Sequence, residues 1–365
     1  MILGYSVLLR FVQSIFPRMR VTRQRNLALL ARGILNVRDG HLTMSEIARS
    51  FPGRSDHWVK FKRLRRFLSN LRWSPEPCFR NILRFVVQRF QADRYLPVII
   101  DQSTLAGRFE ILWACIPFRG RALPIAFRLF KYEDLRQDPE GSQNHLEEAF
   151  IRFIVDLLPS SPPPLLLLDR GYARVALLEL LDALPLHYVL RVRKNTWVSH
   201  PEYEGLLANW AVQRGTLHWW PHTLFHRKER YPVKIAIALN HTAEEPWFLV
   251  TNLSRAVSAV RWYERRFRCE ELFRDIKDQL KMETIRTYHR DRIARLILGI
   301  MISYLALTFI GAAAQQARLR RKICKDKVSL AWLALRLLYL PALLKPHLIQ
   351  RALFRSAWSL SYESG

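Results

Sequence analysis

Two aspartates end apolar segments whose composition predicts buried strands. Asp101 closes the β-branched run 96–101, and Asp169 closes the leucine-rich run 165–169. In an open α/β sheet, side chains at strand ends face the crevice where ligands bind. An aspartate in this position also commonly caps the loop that follows, so neither residue alone indicates catalysis. Together they predict a pair of carboxylates at one edge of a sheet.

A third carboxylate lies on a helix predicted over residues 260–281. The polar residues of this helix, at offsets of 0, 3, 7 and 14, are Tyr263, Arg266, Glu270 and Lys277. At about 100° per residue these four share one side of the helix. The apolar residues that point to another side, and could pack on the sheet, are Trp262, Leu272, Phe273, Ile276 and Leu280. Any surface helix has a polar face beside an apolar one, so this pattern alone does not establish a site.

These three segments together resemble one protein family. The spacing Y-x2-R-x3-E-x6-K resembles the Y-R-E-K signature of cut-and-paste transposases of insertion-sequence family four, with no residue displaced. The segments IDQST around Asp101 and LDRGY around Asp169 resemble that family's two aspartate motifs, and the three carboxylates occur in the family's order. The resemblance spans about residues 95–285, more than half of the chain. The chain is thus similar to the DDE transposases of bacterial insertion sequences.

The resemblance implies an α/β fold with an RNase H-like mixed sheet, as in retroviral integrases. It also implies that Asp101, Asp169 and Glu270 are the catalytic residues and the ligands of two Mg²⁺ or Mn²⁺ ions. Hard divalent ions prefer carboxylate oxygens, and two of them can stabilise the attacking and leaving oxygens of a phosphodiester. The family's β-rich insertion between the second aspartate and the glutamate matches residues 195–250, which predict mostly strands.

Several basic residues are candidates for DNA contact. The resemblance assigns phosphate binding near the cut to Arg266 and Lys277, and a backbone or transposon-end contact to Tyr263. Arg170 and Arg174 follow the second aspartate closely enough to reach a phosphate. A basic helix predicted over residues 58–68 adds four more candidates, Lys62, Arg63, Arg65 and Arg66.

The distribution of charge supports a polyanionic partner. The chain has 365 residues and a formal net charge of +27. Residues 1–90 carry a net charge of +14 and residues 316–365 a net charge of +8, whereas residues 91–315 carry only +5. Nucleic acid or an anionic membrane would attract such basic ends, and the abundance of arginine favours nucleic acid. Four widely spaced cysteines exclude a disulfide scaffold and a cysteine-rich zinc site.

The elements that position these residues fall into five expected segments. Residues 21–90 have helical periodicity. Within them, the pattern predicts a helix-turn-helix, with Thr43 or Ser45 as the N-cap of the first helix, a break at Gly53 and then the basic helix. Any basic helical hairpin looks similar. The expected segments are a helical DNA-binding region (1–90), the first part of the catalytic core (91–194), a β-rich insertion (195–250), the rest of the core with the glutamate helix (251–315) and a basic helical C-terminal region (316–365).

Three further patterns have more than one interpretation. Residues 296–314 contain no charge and are long enough to span a bilayer, but a helix directly after the glutamate helix should pack on the sheet, which favours a buried core helix. The histidines at i, i+4 and i+8 (His218, His222 and His226) could suggest zinc, although Pro221 breaks any helix that would align them. Trp219, Trp220 and Trp247 could stack on a flipped base, although most tryptophans in such a region belong to the core.

The expected function is cut-and-paste transposition. The protein would act in the bacterial cytoplasm, at the nucleoid, would bind the terminal inverted repeats of its element and the target DNA, and would assemble with a second copy of itself. The alternatives are an RNase H-like nuclease that cuts without joining, a domesticated DNA-binding protein without catalysis, and a membrane protein.

Overall fold

A computed structural model describes residues 3–37, 40–91, 94–137, 141–241, 243–324, 326, 328–340, 342–355 and 358–359. The α-helices are α1 (Tyr5–Ile15), α2 (Val21–Asn36), α3 (Met44–Arg49), α4 (His57–Leu68), α5 (Glu76–Val87), α6 (Tyr132–Gln137), α7 (Gln143–Leu157), α8 (Val175–Ala183), α9 (Ala256–Tyr263), α10 (Arg268–Asp278), α11 (Arg290–Gln316), α12 (Leu330–Leu338) and α13 (Pro346–Gln350). The strands are β1 (Phe90–Gln91), β2 (Leu96–Leu105), β3 (Phe109–Phe118), β4 (Arg121–Phe130), β5 (Pro164–Leu168), β6 (His187–Val192), β7 (Trp197–His200), β8 (Tyr203–Leu206), β9 (Leu217–Phe225), β10 (Tyr231–Ala238), β11 (Trp247–Thr251) and β12 (Trp358–Ser359).

Ten of these strands form one mixed sheet in the order β4-β3-β2-β5-β6-β11-β10-β9-β7-β8. β2, β3 and β4 form an antiparallel meander, and β5 and β6 add to β2 in parallel, with α7 and α8 as the crossover connections. All five residues of β5 are buried, as expected of a central parallel strand. This arrangement confirms the RNase H-like mixed sheet, with helical regions before and after it.

The strands of the expected β-rich insertion continue the same sheet. β11 pairs antiparallel with β6, and β10 and β9 follow it outwards. The short hairpin of β7 and β8 forms the far edge and pairs with β9. The insertion therefore joins the core through backbone hydrogen bonds, and a single sheet runs from the meander to this hairpin.

The long apolar segment forms the central helix of the core. α11 is long and apolar enough to cross a membrane, but its most apolar stretch is entirely buried inside the protein. It packs against α2, α4, α12 and β4. The expectation of a buried core helix over 296–314 is confirmed, and the helical regions from both ends of the chain enclose it.

The N-terminal region has the expected helix-turn-helix outline. The Thr43 hydroxyl accepts a hydrogen bond from the Glu46 N–H at 3.2 Å and so caps α3, and Asp56 caps α4 through the Trp58 N–H at 2.7 Å. α4 is also fixed to the core, because the buried Arg295 of α11 donates a hydrogen bond to the carbonyl of Leu68 at 2.9 Å. The N-terminal helical region is thus anchored to α11.

The closest approach of α11 to α12 requires a glycine and gives a stability prediction. A Cβ atom at Gly311 would overlap the backbone carbonyl of Leu330. Helix propensity alone would make Gly311→Ala stabilising by about 1 kcal/mol. We expect the opposite sign, a loss of about 1–3 kcal/mol, because the two backbones must separate. The measurement is thermal denaturation of the purified variant against wild type.

Gly4→Ala is the matched control, since no atom lies within 4 Å of its added methyl group. An unchanged or raised melting temperature for Gly311→Ala would contradict the close packing of the two helices.

Candidate active site

The segment predicted as one helix over 260–281 is interrupted. α9 ends at Tyr263, a 3₁₀ turn spans Glu264–Phe267, and α10 begins at Arg268. The prediction of a continuous α-helix was wrong here. In a 3₁₀ turn residues i and i+3 are nearly eclipsed, so the turn holds Tyr263 and Arg266 on the same side, and both side chains are buried.

One guanidinium group connects the three predicted carboxylates. Arg266 Nη2 lies 3.0 Å from Asp101 Oδ2 and 3.1 Å from Asp169 Oδ2, and Nη1 lies 2.6 Å from Glu270 Oε1. The Arg266 side chain is only 8% exposed, whereas that of Glu270 is 51% exposed. The structure therefore brings together all three carboxylates, with the opening on the Glu270 side. The prediction that Asp101 ends its strand was wrong, because β2 continues to Leu105 in its pairing with β3, whereas Asp169 directly follows β5 as predicted.

Asp101 has the most enclosed environment of the three. Its Oδ1 accepts a hydrogen bond from the Gln102 N–H at 2.9 Å, and the Cys269 thiol donates to its Oδ2 at 2.8 Å. Burial raises the pKa of Asp101, and Arg266, the Cys269 thiol and the Gln102 N–H oppose this effect. Burial also raises the pKa of Cys269, and the adjacent Asp101 charge adds to the shift, so the thiol is protonated and acts as a donor.

Tyr263 is fixed against Asp169 by an aromatic cluster. Its hydroxyl donates to Asp169 Oδ1 at 3.1 Å, and its ring packs edge to face on Trp247 with centroids 5.3 Å apart. Trp247 in turn stacks on Phe267 at 5.7 Å. Burial, followed by the Asp169 charge, raises the pKa of Tyr263, so this phenol remains a hydrogen-bond donor at neutral pH.

The other predicted DNA-binding residues near the core occupy different surroundings. Lys277 lies two turns along α10 from Glu270 and pairs with Glu283 at 2.7 Å, away from the three carboxylates. Arg174 pairs with the buried Glu147 at 2.7 Å and with Glu148 at 3.1 Å. Arg170, directly after Asp169, is exposed.

Arg170 lines a cavity of about 240 Å³ beside the carboxylates. The other basic residues of this cavity are Arg191, Arg193 and Lys194. Glu245 pairs with Arg191 at 3.6 Å and Lys194 at 3.5 Å. Trp210 closes another side, and its buried indole N–H has no hydrogen-bond partner within the described residues. Glu244 also lines the cavity, so four basic and two acidic side chains leave it with a net positive charge, which together with the free donor suits an anionic ligand.

Sequence reasoning missed Cys269, the supporting role of Trp247 and the basic residues of this cavity. Cys269 directly precedes Glu270, and this position in the first turn of α10 was the only local signal. The contacts of Trp247 and of the cavity residues join segments far apart in the sequence, so no local sequence pattern predicts them.

The donor set at the carboxylates has the chemistry that Mg²⁺ or Mn²⁺ requires. Three oxygen ligands from separate elements converge on one cationic group. In the described part of the chain, no three His, Cys, Asp or Glu side chains are grouped closely enough to hold a metal ion, and it is the Arg266 guanidinium that lies between these carboxylates. The residues fit a hard divalent ion by type, and Arg266 holds them in this arrangement.

The histidines and tryptophans of the insertion have structural surroundings. His226 has a left-handed backbone and pairs with Glu229 at 3.1 Å, and among the described residues the histidines form no metal cluster. Trp220 is buried between Trp210 and His200. Trp219 is only partly buried and packs against the core.

A second basic surface lies on α4. Its exposed residues share one side of the helix and are Trp58, Val59, Lys62, Arg63, Arg65 and Arg66. Trp58 and Val59, in the first turn, are 55% and 54% exposed, although both are apolar. Arg63 bonds Asn26 of α2 at 2.9 Å, and Lys62 lies over the Trp58 ring at 5.3 Å. This surface, the α4 face, combines apolar and basic groups in the position of a recognition helix.

Comparison with known proteins agrees with the geometry. Residues 135–306 match the family model of the transposase DDE domain. The matched region contains Asp169 and the segment from Tyr263 to Lys277, and Asp101 lies before it. No curated protein matches the chain.

The shared guanidinium gives a stability prediction that is independent of function. Arg266→Met leaves the buried Asp101 carboxylate without its counter-charge, and we expect a loss of about 3–5 kcal/mol in the free energy of unfolding. Adding Asp101→Asn should recover part of this loss, because the neutral amide needs no counter-charge. Denaturant unfolding with a chelator at neutral pH measures both variants.

Lys277→Met is the control, since the Lys277 pair with Glu283 is partly exposed and should contribute about 1 kcal/mol or less. Equal losses of unfolding free energy for Arg266→Met and Lys277→Met would contradict the central role of Arg266. So would the absence of any recovery when Asp101→Asn is added to Arg266→Met.

Proposed function

Because residues 135–306 match the family model of the transposase DDE domain, we propose that this protein is a DDE transposase that moves an insertion sequence by cut-and-paste transposition. It would bind the terminal inverted repeats, cleave the DNA at the element's ends and join them to target DNA. The observation that carries this proposal is the convergence of Asp101, Asp169 and Glu270 on one point, at the open side of an RNase H-like sheet.

We assign the chemistry to these three carboxylates. Two Mg²⁺ or Mn²⁺ ions bound to them would stabilise charge on the attacking and leaving oxygens. Asp101 is fixed by the Gln102 N–H and the Cys269 thiol, so its oxygens have defined directions. Tyr263 orients Asp169 through its hydroxyl. Glu270, the most exposed of the three, faces the side from which DNA would approach.

The DNA would follow the basic surfaces. We propose that the α4 face enters a major groove of the inverted repeat, while Arg65 and Arg66 bind phosphates. Arg170 and the other basic residues of the cavity would hold the backbone next to the cut. Lys277 would contact it two turns along α10. Cut-and-paste chemistry requires two element ends, so a homodimer on DNA, in the cytoplasm, is part of the proposal.

Two alternatives differ in their products. A nuclease of the same fold would cut DNA and never join it, and a domesticated DNA-binding protein would do neither. The presence of all three carboxylates around one cationic group favours a catalytic protein. The buried position of the most apolar stretch of α11 disfavours a membrane protein.

Removal of the carboxylate charges should separate catalysis from binding. We expect Asp101→Asn, Asp169→Asn and Glu270→Gln each to reduce cleavage at least about a hundredfold and to leave affinity for the transposon end, measured without a divalent cation, unchanged. The assay incubates the protein and Mg²⁺ with an uncut or pre-cleaved transposon end and a target plasmid, and a mobility shift in the presence of a chelator measures binding in parallel.

Glu264→Gln, an exposed carboxylate on the 3₁₀ turn, is the matched control and should retain activity. Nicking by the wild type without joined products would favour the nuclease. Full activity of Glu270→Gln would remove the catalytic assignment.

The α4 face should contain separate phosphate and base contacts. Arg66→Gln should weaken binding to every duplex and reduce the slope of log affinity against log salt by about one. Val59 would contact a thymine methyl group, so Val59→Ala should weaken binding about three- to tenfold. This loss should occur only with a preferred duplex, selected by the wild type from a random pool.

Substitution of uracil for thymine in that duplex tests the methyl contact directly. Replacement of the contacted thymine should lower the affinity of the wild type. The same replacement should leave the affinity of Val59→Ala unchanged, because the variant has already lost the methyl contact. Arg152→Gln, an exposed arginine on α7, is the control for general charge loss. Equal effects of Arg66→Gln and Arg152→Gln would exclude a specific role for the α4 face.

A further inference from the structure

The Arg266 guanidinium contacts the oxygens that the proposed metal ions would require. Its Nη2 is shared between Asp101 Oδ2 and Asp169 Oδ2, and its Nη1 binds Glu270 Oε1. A divalent cation at these carboxylates would be repelled by the guanidinium and would compete for the same lone pairs. Arg266 in its present position therefore opposes the binding of metal ions at these oxygens.

The present position of Arg266 leaves one of its donors unused. Its Nε is buried and has no hydrogen-bond partner within the described residues. Arg266 also lies on the 3₁₀ turn between α9 and α10, and a 3₁₀ turn inside a helical segment is a common site of local rearrangement. The side chain of Glu270 is half exposed, so the site is open to solvent on the side where Arg266 Nη1 contacts Glu270.

A DNA phosphate offers Arg266 a better partner than these divided contacts. Guanidinium binds phosphate through two parallel hydrogen bonds, and the basic cavity beside Asp169 would bring the DNA backbone to this side of the site. Withdrawal of Arg266 to a phosphate would restore the full negative charge of the three carboxylates and would raise their affinity for a divalent cation.

We propose that Arg266 is an internal counter-ion that blocks metal binding until DNA withdraws it. Arg266 is then a positioning residue, and it makes metal binding and DNA binding cooperative. By linkage, each ligand raises the affinity for the other by the same factor. This inference rests on the proposed function, because it takes the three carboxylates as metal ligands.

The test is Mn²⁺ binding to the full-length protein, measured by electron paramagnetic resonance with and without a pre-cleaved transposon-end duplex. Titrations of the duplex alone and of Asp101→Asn define binding outside the site. For the wild type we expect weak binding without DNA and at least a tenfold gain with it. Arg266→Gln should bind Mn²⁺ at least tenfold more tightly than wild type without DNA, and DNA should add little.

Two further variants separate this effect from loss of charge or of folding. Arg268→Gln removes an exposed positive charge two residues away and should match the wild type without DNA. Arg266→Lys keeps the positive charge but lacks the planar fork of two nitrogens that contacts the three carboxylates, so it should lie between wild type and Arg266→Gln. Mn²⁺ should also raise the melting temperature of Arg266→Gln more than that of wild type, because the ion replaces the missing cation.

Unchanged or weaker Mn²⁺ affinity in both Arg266→Gln and Arg266→Lys would overturn the inference, as would equal gains in Arg266→Gln and Arg268→Gln. If the wild type still joins transposon ends to a target in that case, the proposed function survives and only the counter-ion role fails. If the wild type binds no more Mn²⁺ than Asp101→Asn even with DNA, and joins no ends, both fail.

Discussion

The candidate active site depends on one buried guanidinium shared by three carboxylates. Asp101 comes from a central strand, Asp169 from the end of the neighbouring parallel strand, and Glu270 from a helix that packs across the sheet. Three carboxylates that contact the same guanidinium repel one another, and where they are buried the repulsion is poorly screened. Arg266 makes their approach possible, so the relative positions of sheet and helix are set by an interaction that also controls the charge of the site.

The surrounding fold determines where this guanidinium can lie. The 3₁₀ turn places Arg266 and Tyr263 on the same side, and the stack of Trp247 on Phe267 supports the turn from the strand β11. β11 pairs with β6, which continues the parallel part of the sheet. The strands of the expected insertion therefore support the segment that carries Arg266 and Glu270 directly, because the strand that brings Trp247 belongs to the same sheet as the aspartates.

The sequence predicted the chemistry better than it predicted the geometry. Asp169 directly follows its strand as predicted, and the buried apolar helix lies where its pattern places it. Asp101 does not end its strand, because β2 continues for four more residues in its pairing with β3, a contact that the local sequence does not encode. The 3₁₀ interruption and the Cys269 hydrogen bond were not predicted, because both depend on contacts across the sheet. The ion pair of Lys277 was also not predicted from local pattern. Helical periodicity placed it on the side of Glu270, but its partner is Glu283, in the 3₁₀ turn after α10.

The N-terminal helices are connected mechanically to the same segment. Arg295, five residues into α11, fixes the end of α4 to the core, and the Leu42 N–H bonds the Thr284 hydroxyl in the turn after α10. A DNA duplex bound on the α4 face would therefore act on elements that directly follow the glutamate helix. The α4 face and the segment that carries Arg266 and Glu270 are in this way parts of one packed unit, through which the proposed DNA contact at α4 would reach the proposed metal site.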